Sequence, residues 1–339
     1  GPKGEIPLEN LTQEGIKVKT ILAGKFRRYF TIGSIFQNFI DILFKIPLGI
    51  IQAFFYVFFL APDLIFSKGG YGSLPTVIAG WLLGTPIFLH ESDTVPGITN
   101  RFSNRFAMEI FVSFPIEKTE FFPKEKMLSL GNPIRKEILE GDIEEAKNLF
   151  EITDEKPLLL ILGGSQGAQR INDVIYQGIN ELLNEFEIIH QVGPKNFEEI
   201  KSLLEIILNK DLEKYYHPYP FLNESELAQA MAAADLIISR AGSGSIFEIA
   251  AVGKPSILIP LPEAAQNHQV ENAYLFLEKG ACLVVEETNL TPHFFLDRLR
   301  YLFSHPSKLR EMEEKTREFA KPRAGEVIAG YILDYLSKS

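Results

Sequence analysis

Two runs of small residues carry the densest chemistry in this chain. Gly163-Gly164-Ser165-Gln166-Gly167-Ala168 follows the apolar run 157–162 and opens a helix-like stretch from Gln169 to Leu183. The apolar run reads as a buried parallel strand. Glycines after such a strand let the backbone approach a ligand, and the helix aims its positive end at the turn. That suits a phosphate or diphosphate. The spacing is neither G-x-G-x-x-G nor a P-loop ending in G-K-[ST], so it points away from NAD and ATP. A tight strand-to-helix turn with no ligand uses the same residues. The pattern recurs where the strand-like run 235–239 leads into Ser243-Gly244-Ser245-Ile246-Phe247-Glu248. Ser243 or Ser245 is expected to cap that helix. Glu248, about one turn in, can take two hydrogen bonds from a ribose diol, or serve the helix as a capping-box acid. Further on, Gln266-Asn267-His268-Gln269 follows the strand-like run 255–260. Its amides and imidazole suit sugar hydroxyls, or form a polar helix start.

The elements that must hold these residues alternate between strand-like and helix-like segments, the signature of an α/β sheet. Strands are expected at Ile16–Leu22, Asp63–Phe66, Pro86–His90, Met108–Val112 and Met127–Leu130, then at Leu158–Leu162, Glu187–Gln191, Leu236–Ser239, Ser256–Ile259 and Ala281–Val285. Helices are expected at Ser73–Leu83, Ile134–Phe150, Asn223–Ala233 and Gln269–Lys279. Two consecutive doubly wound units follow, with a ligand cleft between them outside the carboxyl ends of the strands. The expected division is 1–133, 134–322 and a last helix within 323–339 that crosses back to the first unit. The run from Ile42 to Ala61 is almost wholly apolar and approaches the length of a membrane span. Pro47 and Gly49 are expected to break it, which favours a crossover helix, buried or partly facing lipid with Phe54, Phe55, Tyr56 and Phe58.

The length of 339 residues accommodates two domains, and 46% hydrophobic with 23% charged residues is ordinary for a globular protein. A lone cysteine, Cys282, forms no internal disulfide and fits a reducing compartment. No Cys/His spacing marks a metal site, and no basic, apolar and small-residue succession marks a secretory signal. The net charge of −10 argues against nucleic acid as a partner. That charge is uneven: residues 1–133 hold 13 Lys/Arg against 11 Asp/Glu, the remainder 21 against 33. Lys17, Lys19, Lys25, Arg27 and Arg28 precede the apolar stretch, a combination that suits an anionic membrane surface or forms a solvated charge run.

The three donor-side pieces, in this order, resemble the MurG family. So do Gly69-Gly70-Tyr71-Gly72-Ser73, His90-Glu91-Ser92-Asp93 with Gly97-Ile98-Thr99-Asn100, and Gly131-Asn132-Pro133-Ile134-Arg135. Six motifs in register cover nearly the whole chain. The resemblance implies the glycosyltransferase-B architecture, two Rossmann-like α/β domains, and an N-acetylglucosaminyltransferase of peptidoglycan synthesis. It would move N-acetylglucosamine from UDP-GlcNAc to undecaprenyl-diphosphate-muramoyl-peptide (lipid I), giving lipid II. No cofactor is implied, and no DxD-type acidic pair stands out, so the reaction is expected to be metal-independent. The implied location is peripheral, on the cytoplasmic face of the bacterial inner membrane. The resemblance also distributes roles. Arg135 would neutralise the leaving UDP, with Gly164, Ser165 and Gln166 and the helix from Ser243 on the diphosphate. Phe221 and Leu222 would hold uracil, Leu222 through its backbone, and His268 and Gln269 would read the sugar. Gly69, Gly70, Tyr71, Gly72 and Ser73 would give N–H groups to the acceptor diphosphate, or form a tight turn.

Inversion by direct displacement needs a base. The family's proposed histidine belongs to an N-terminal glycine loop, and this chain starts at Gly1 at a position resembling the end of the family's second strand; it is expected to be a fragment or truncated form. His90, Glu91 and Asp93 are the remaining candidates. His90 and Glu91 are expected to organise their loop, and Asp93, where many relatives carry Asn, can contact donor sugar or accept a proton. Two other functions fit the same donor motifs: a UDP-GlcNAc 2-epimerase, and a donor-binding module with impaired catalysis. The apolar stretch and the Gly69 and His90 motifs argue against the epimerase.

Overall fold

The computed structural model describes residues 15–25, 32–163, 168–262 and 264–338. They divide into two compact units, one running to Gly131 and resuming at Glu326, the other Asn132–Gly325. Each is built on a parallel sheet with helices on its faces.

In the first unit the strands are β1 (Ile65–Ser67), β2 (Ile87–Glu91), β3 (Glu109–Val112) and β4 (Met127–Ser129), side by side in chain order. Its helices include α1 (Ile32–Ile40), α2 (Ile46–Leu60), α3 (Leu74–Leu82) and α4 (Ile98–Ser103). One face of the sheet packs Ala53 and Val57 of α2 and Val77 and Ala79 of α3 against Ile65, Ile87, Leu89 and Ile110. The other face presents Phe88 and Phe111, which meet the Tyr331 ring of the final helix, Ala324–Lys338, at tilted and edge-on angles, with Ile328 alongside.

Two expectations fail here. Residues 16–22 are not a strand of this sheet. Their backbone is met by α2 instead: the Gln52 amide accepts from Leu22 N–H at 2.9 Å and donates to the Thr20 carbonyl at 3.2 Å. Gly49 permits that approach, since a Cβ there would sit 1.9 Å from the Leu22 carbonyl oxygen. Nor do Pro47 and Gly49 break the apolar helix. Ile35–Leu60 is one helical run of 26 residues, long and apolar enough to cross a membrane by length and composition. A widened π-type turn at Asp41–Lys45 runs directly into α2, and Pro47 stands in the first turn of that helix, where its missing N–H is least costly.

The second unit has β5 (Leu158–Leu162), β6 (Glu187–Gln191), β7 (Tyr216–Tyr219), β8 (Leu236–Ser239), β9 (Ser256–Leu258) and β10 (Cys282–Val284), in the order β10-β9-β8-β5-β6-β7. The chain first builds outward from β5 on one side, then returns to its other side at β8, so the order reverses between β5 and β8. The apolar run of β5 is buried on both faces, in two core layers. Its helices include α5 (Ile143–Phe150), α6 (Gln169–Gln177), α7 (Ile179–Glu185), α8 (Phe197–Ile207), α9 (Glu224–Ala233), α10 (Ser243–Val252) and α11 (His268–Glu278).

The expected helix 134–150 is interrupted. A short 3-10 segment, Lys136–Glu140, stops at Gly141, whose hydrogen faces the Ala228 carbonyl so closely that a Cβ would lie 2.3 Å from it. Asp142 then caps α5, its carboxylate accepting from Glu145 N–H at 2.9 Å. The expected helix 169–183 likewise divides at Gly178 into α6 and α7.

Candidate active site

The carboxyl ends of β5, β6 and β8 open onto a cavity of about 170 Å³. Leu162, Gln191 and Ser239, which close those strands, form its floor. Here the strand order reverses, the place where open α/β sheets bind ligands. Arg135, Phe221, Leu222, Ser245 and Glu248 also line it, so five residues singled out in the sequence meet in one recess.

Arg135 and Glu248 are paired there. Arg135 Nε donates to Glu248 Oε1 and Nη2 to Oε2, both at 2.8 Å. This fork-to-carboxylate geometry is the strong form of an ion pair. The hydrogen bond to Glu248 is the leading influence that raises the guanidinium's affinity for its proton. The cation expected on a diphosphate and the carboxylate expected on a ribose are thus each other's partner. The Glu248 side chain is the more enclosed, 12% exposed against 36% for Arg135.

The start of α10 differs from the expected cap. Gly242 occupies the N-cap with φ −66° and ψ 142°, and no side chain caps the turn. Ser243 and Ser245 stand inside the helix as its first and third residues, so neither hydroxyl is at the cap. Cβ atoms at Gly242 or Gly244 would meet nothing within 4 Å, so the first turn faces open space. Ile246 and Phe247 do not face the cavity with their side chains: both are core residues, and the Phe247 ring lies 5.3 Å from Phe319. The Ile246 N–H is returned to the Gly242 carbonyl.

Leu222 has one of its two backbone groups engaged within the fold. Its N–H donates to Gln191 Oε1 at 3.1 Å. His268 and Gln269 do not line the cavity. They open α11 after left-handed turns at Gln266 (φ 60°) and Asn267 (φ 58°), and the Gln269 amide oxygen accepts from Leu261 N–H at 3.0 Å. Gln269 therefore ties down the exit loop of β9. Gly164, Ser165 and Gln166 lie outside the described residues.

In the first unit, His90 and Glu91 end β2 and point inward. His90 is fully buried, with Nε2 3.3 Å from the Gly131 carbonyl. Burial, followed by the nearby Lys68 charge, pushes its pKa down to about 4, so the ring is neutral. Glu91 is 5% exposed; it accepts from Asn100 Nδ2 at 2.9 Å and Asp93 N–H at 3.1 Å. Burial raises its carboxyl above the usual range despite those bonds. Asp93 is half-buried. Asn100, on α4, also donates to the His90 carbonyl at 3.1 Å. A Cβ at Gly69 (φ +82°) would lie 2.8 Å from the Asn100 amide atoms. The Gly69–Ser73 turn and the His90–Asp93 loop therefore meet at one buried amide. Within that turn the Ser73 hydroxyl donates to the Gly70 carbonyl at 2.9 Å, the Gly69 N–H donates to Ser67 Oγ at 3.2 Å, and Lys25 lies 5.6 Å from the Tyr71 ring centroid. Two residues were underestimated by motif reading. Gln191 closes a strand that also carries Glu187 and His190, and Asn100 lies at the end of the Gly97–Asn100 motif.

Comparison with known proteins places this geometry. Residues 7–112 match the glycosyltransferase family 28 N-terminal domain, and residues 158–327 match the C-terminal domain of the same family. A Treponema denticola protein named UDP-N-acetylglucosamine–N-acetylmuramyl-(pentapeptide) pyrophosphoryl-undecaprenol N-acetylglucosamine transferase is 35% identical over 328 residues, covering 94% of this chain and 82% of that protein. A Clostridium tetani protein of the same name is 38% identical over 309 residues, covering 91% and 82%. The chain belongs to the MurG family. The crystal structure of Acinetobacter baumannii MurG superposes with a TM-score of 0.73 at 26% identity, covering 100% of this chain and 90% of that one. This MurG relative has the glycosyltransferase-B architecture. A UDP-GlcNAc 2-epimerase from Neisseria meningitidis, crystallised with UDP-GlcNAc, shares the fold at a TM-score of 0.64 and 15% identity. The MurG resemblance is the stronger by both measures.

Proposed function

We infer that this chain is the N-acetylglucosaminyltransferase that moves N-acetylglucosamine from UDP-GlcNAc to lipid I. The observation that carries the donor half is the Arg135–Glu248 cavity at the sheet's switch point. On donor binding, Glu248 exchanges its guanidinium partner for the ribose diol, and Arg135 turns to the diphosphate. The uncapped first turn of α10 offers N–H groups to the same diphosphate. The base lies against Phe221 and Leu222. The acceptor's sugar hydroxyl attacks the anomeric carbon, the bond to the diphosphate oxygen breaks, and UDP leaves with its charge held by Arg135 and the helix dipole. The hydroxyl proton needs an acceptor. His90 and Glu91 are enclosed and hold the loop; Asp93 is the member of the trio open to a substrate.

We place the acceptor lipid and the membrane on the first unit. Along α1 and α2, Phe36, Phe59 and Leu60 are 65%, 78% and 63% exposed. Exposed large apolar side chains recur between them, at Phe39, Leu43, Phe44, Leu48, Ile51 and Phe55, and apolar exposure on this scale marks an interaction site. Gly49, Ala53 and Val57 of the same helix are buried within the unit, so α2 has one face in the protein core. That favours a helix lying in the lipid interface over one surrounded by lipid. Lys17 and Lys19 precede it and supply attraction to anionic headgroups.

The test is product analysis with labelled UDP-GlcNAc, with and without lipid I in anionic vesicles. Label appearing in lipid II is the expected result. Label in a free 2-epimer without lipid I would favour the epimerase reading.

A further inference from the structure

Two helices start at the carboxyl ends of the adjacent strands β5 and β8, where the strand order reverses. Neither start is capped by a side chain: α6 follows Ala168 and α10 follows Gly242. Each has an arginine beside it, Arg170 as the second residue of α6 and Arg240 two residues before Gly242. A cation beside a helix start is unfavourable to the dipole, so these guanidiniums need partners. Both find them in one place, the turn after β10. Arg170 Nη2 donates to the Leu290 carbonyl at 3.3 Å, and Arg240 pairs with the Glu287 carboxylate. Arg240 Nη1 also donates to the Ile259 carbonyl, just past β9, at 3.2 Å. The turn itself is fixed: Glu287–Asn289 is a 3-10 segment, and the Tyr274 hydroxyl of α11 donates to Glu286 Oε1 at 2.6 Å. The Arg240 and Glu287 side chains are 14% and 19% exposed, and neither lines the donor cavity.

We propose that Glu287 is a positioning residue of the donor site: by holding Arg240 in the turn that also receives Arg170, it braces the starts of α6 and α10 and fixes the spacing of their N–H groups for the diphosphate. The inference rests on the donor-site reading above. A hydrogen bond weakens steeply once donor and acceptor leave their preferred distance and angle. N–H groups from two separate helices therefore serve one diphosphate only while those helices keep a set spacing. The strands do not set it alone, because glycines stand between each strand and its helix, at Gly163, Gly164 and Gly167 after β5 and at Gly242 after β8. The brace supplies the spacing from behind, without touching the ligand. Without Glu287 the enclosed Arg240 guanidinium loses its counter-charge and leaves its seat, and the entry to α10 loosens.

The experiment measures UDP by calorimetric titration and uridine by displacement of UDP, on the full chain and on Glu287→Ala, Glu287→Gln and Tyr274→Phe. Uridine shares the base and ribose contacts and lacks the diphosphate, so the ratio of the two affinities isolates the braced helix starts. Glu287→Ala is expected to weaken UDP about tenfold, the size of one charge-assisted contact, and to leave uridine alone. Glu287→Gln keeps an oxygen for Arg240 and should stay within about threefold of the unaltered chain. A merely structural role lowers the melting temperature or both affinities together, so an unmoved ratio in Glu287→Ala overturns the inference. Tighter UDP in Glu287→Ala overturns it too, since Arg240 would then be a phosphate ligand that Glu287 holds back. Where Glu287→Ala fails to fold, Tyr274→Phe removes only the hydroxyl that holds Glu286 and should lower the same ratio about threefold. An unmoved ratio there overturns the inference as well. A chain that binds neither UDP nor uridine removes the donor-site reading itself, whereas UDP binding with unmoved ratios removes only the role of Glu287.

Discussion

Glu248 and Glu91 are both carboxylates at the carboxyl end of a parallel sheet, one in each unit, and their surroundings are opposite. Glu248 faces a cavity and is held by a guanidinium through two bonds of 2.8 Å. Glu91 is enclosed and held by a neutral amide and a backbone N–H. An ion pair at a cavity mouth is exchangeable, because an incoming anion and diol replace each partner in kind. A carboxylate locked by neutral groups in a buried loop has nothing to exchange, so its function is to fix that loop. The second unit thus holds its charged pair at a cavity, while the first turns these polar groups inward and presents apolar surface along Ile35–Leu60.

The sharpest way to break this comparison is to remove one carboxylate or its partner at a time. Arg135→Ala should cut transfer about 10²- to 10³-fold, the usual cost of losing a group that stabilises developing charge. Steady-state kinetics with saturating lipid I reads this. Glu248→Ala should weaken UDP by about 1.5–3 kcal/mol, the worth of hydrogen bonds to a charged group. Glu91→Gln should leave UDP affinity unchanged in the same titration. Equal losses in Glu248→Ala and Glu91→Gln would end the distinction between the two carboxylates.

Acid tests the buried loop directly. An unfolded histidine titrates near 6.5, and His90 in the fold titrates at about 4. Between those values the unfolded chain binds more protons, so the first unit loses stability as pH falls through that window. The full loss is about 3 kcal/mol, reached near pH 4 and absent above 6.5. The raised Glu91 carboxyl acts in the opposite sense, gaining its proton more readily in the fold and offsetting part of the loss at the acid end. His190 in the second unit is also depressed by burial, to about 3, so each unit has its own acid-sensitive imidazole. His90→Gln should flatten the slope of the first unit alone between pH 7 and 5, in urea melts that follow the single tryptophan, Trp81.

The contrast between the units also governs what was legible in the sequence. β5 and β8 are legible to the residue as apolar runs buried on both faces, whereas β6, with Glu187, His190 and Gln191, is marked only by Ile188 and Ile189 between them. β7 is not legible from the sequence: it is an edge strand, Tyr216–Tyr219, that carries Pro218 and has no apolar run. The break at Gly141 is enforced by a carbonyl on α9, 87 residues away in the chain, and nothing local records it. Arg135 and Glu248 were each found by motif, but their pairing spans 113 residues. Local patterns identify groups able to bind a nucleotide; which of them are partnered with each other is a property of the packed fold.

Gly69 and Gly70 separate steric fit from backbone freedom within a single turn. Both have positive φ, +82° and +77°. Gly69→Ala must also displace the Asn100 amide, since its Cβ would lie 2.8 Å away, while a Cβ at Gly70 meets nothing within 4 Å. Gly70→Ala should cost about 1 kcal/mol from its left-handed backbone alone. Gly69→Ala should cost about 2 kcal/mol or more and raise the KM for lipid I, because the loop that Asn100 joins must shift. Thermal melts together with acceptor kinetics decide. Equal melting shifts would mean that Asn100 yields freely and does not couple the two loops.

The smallest expected effect concerns the basic residues beside the apolar helix. Lys19 lies 6.0 Å from the Tyr56 ring centroid, so its charge is held beside the half of α2 that carries the exposed aromatics Phe55, Phe58 and Phe59. A basic residue near an anionic surface contributes about 1 kcal/mol, screened beyond a Debye length. Lys17→Gln and Lys19→Gln should each lower flotation with anionic vesicles by about that amount, roughly fivefold in partition, and should leave recovery with neutral vesicles alone. Phe58→Ser and Phe59→Ser should instead lower recovery with both kinds of vesicle, since apolar insertion does not depend on headgroup charge. If the lysine variants lose neutral vesicles as well, the charge is serving the fold of the 16–25 segment on α2. If the phenylalanine variants lose neither, the exposed aromatics are not the docking face. The two pairs therefore divide attraction from insertion on the unit whose apolar side is turned outward.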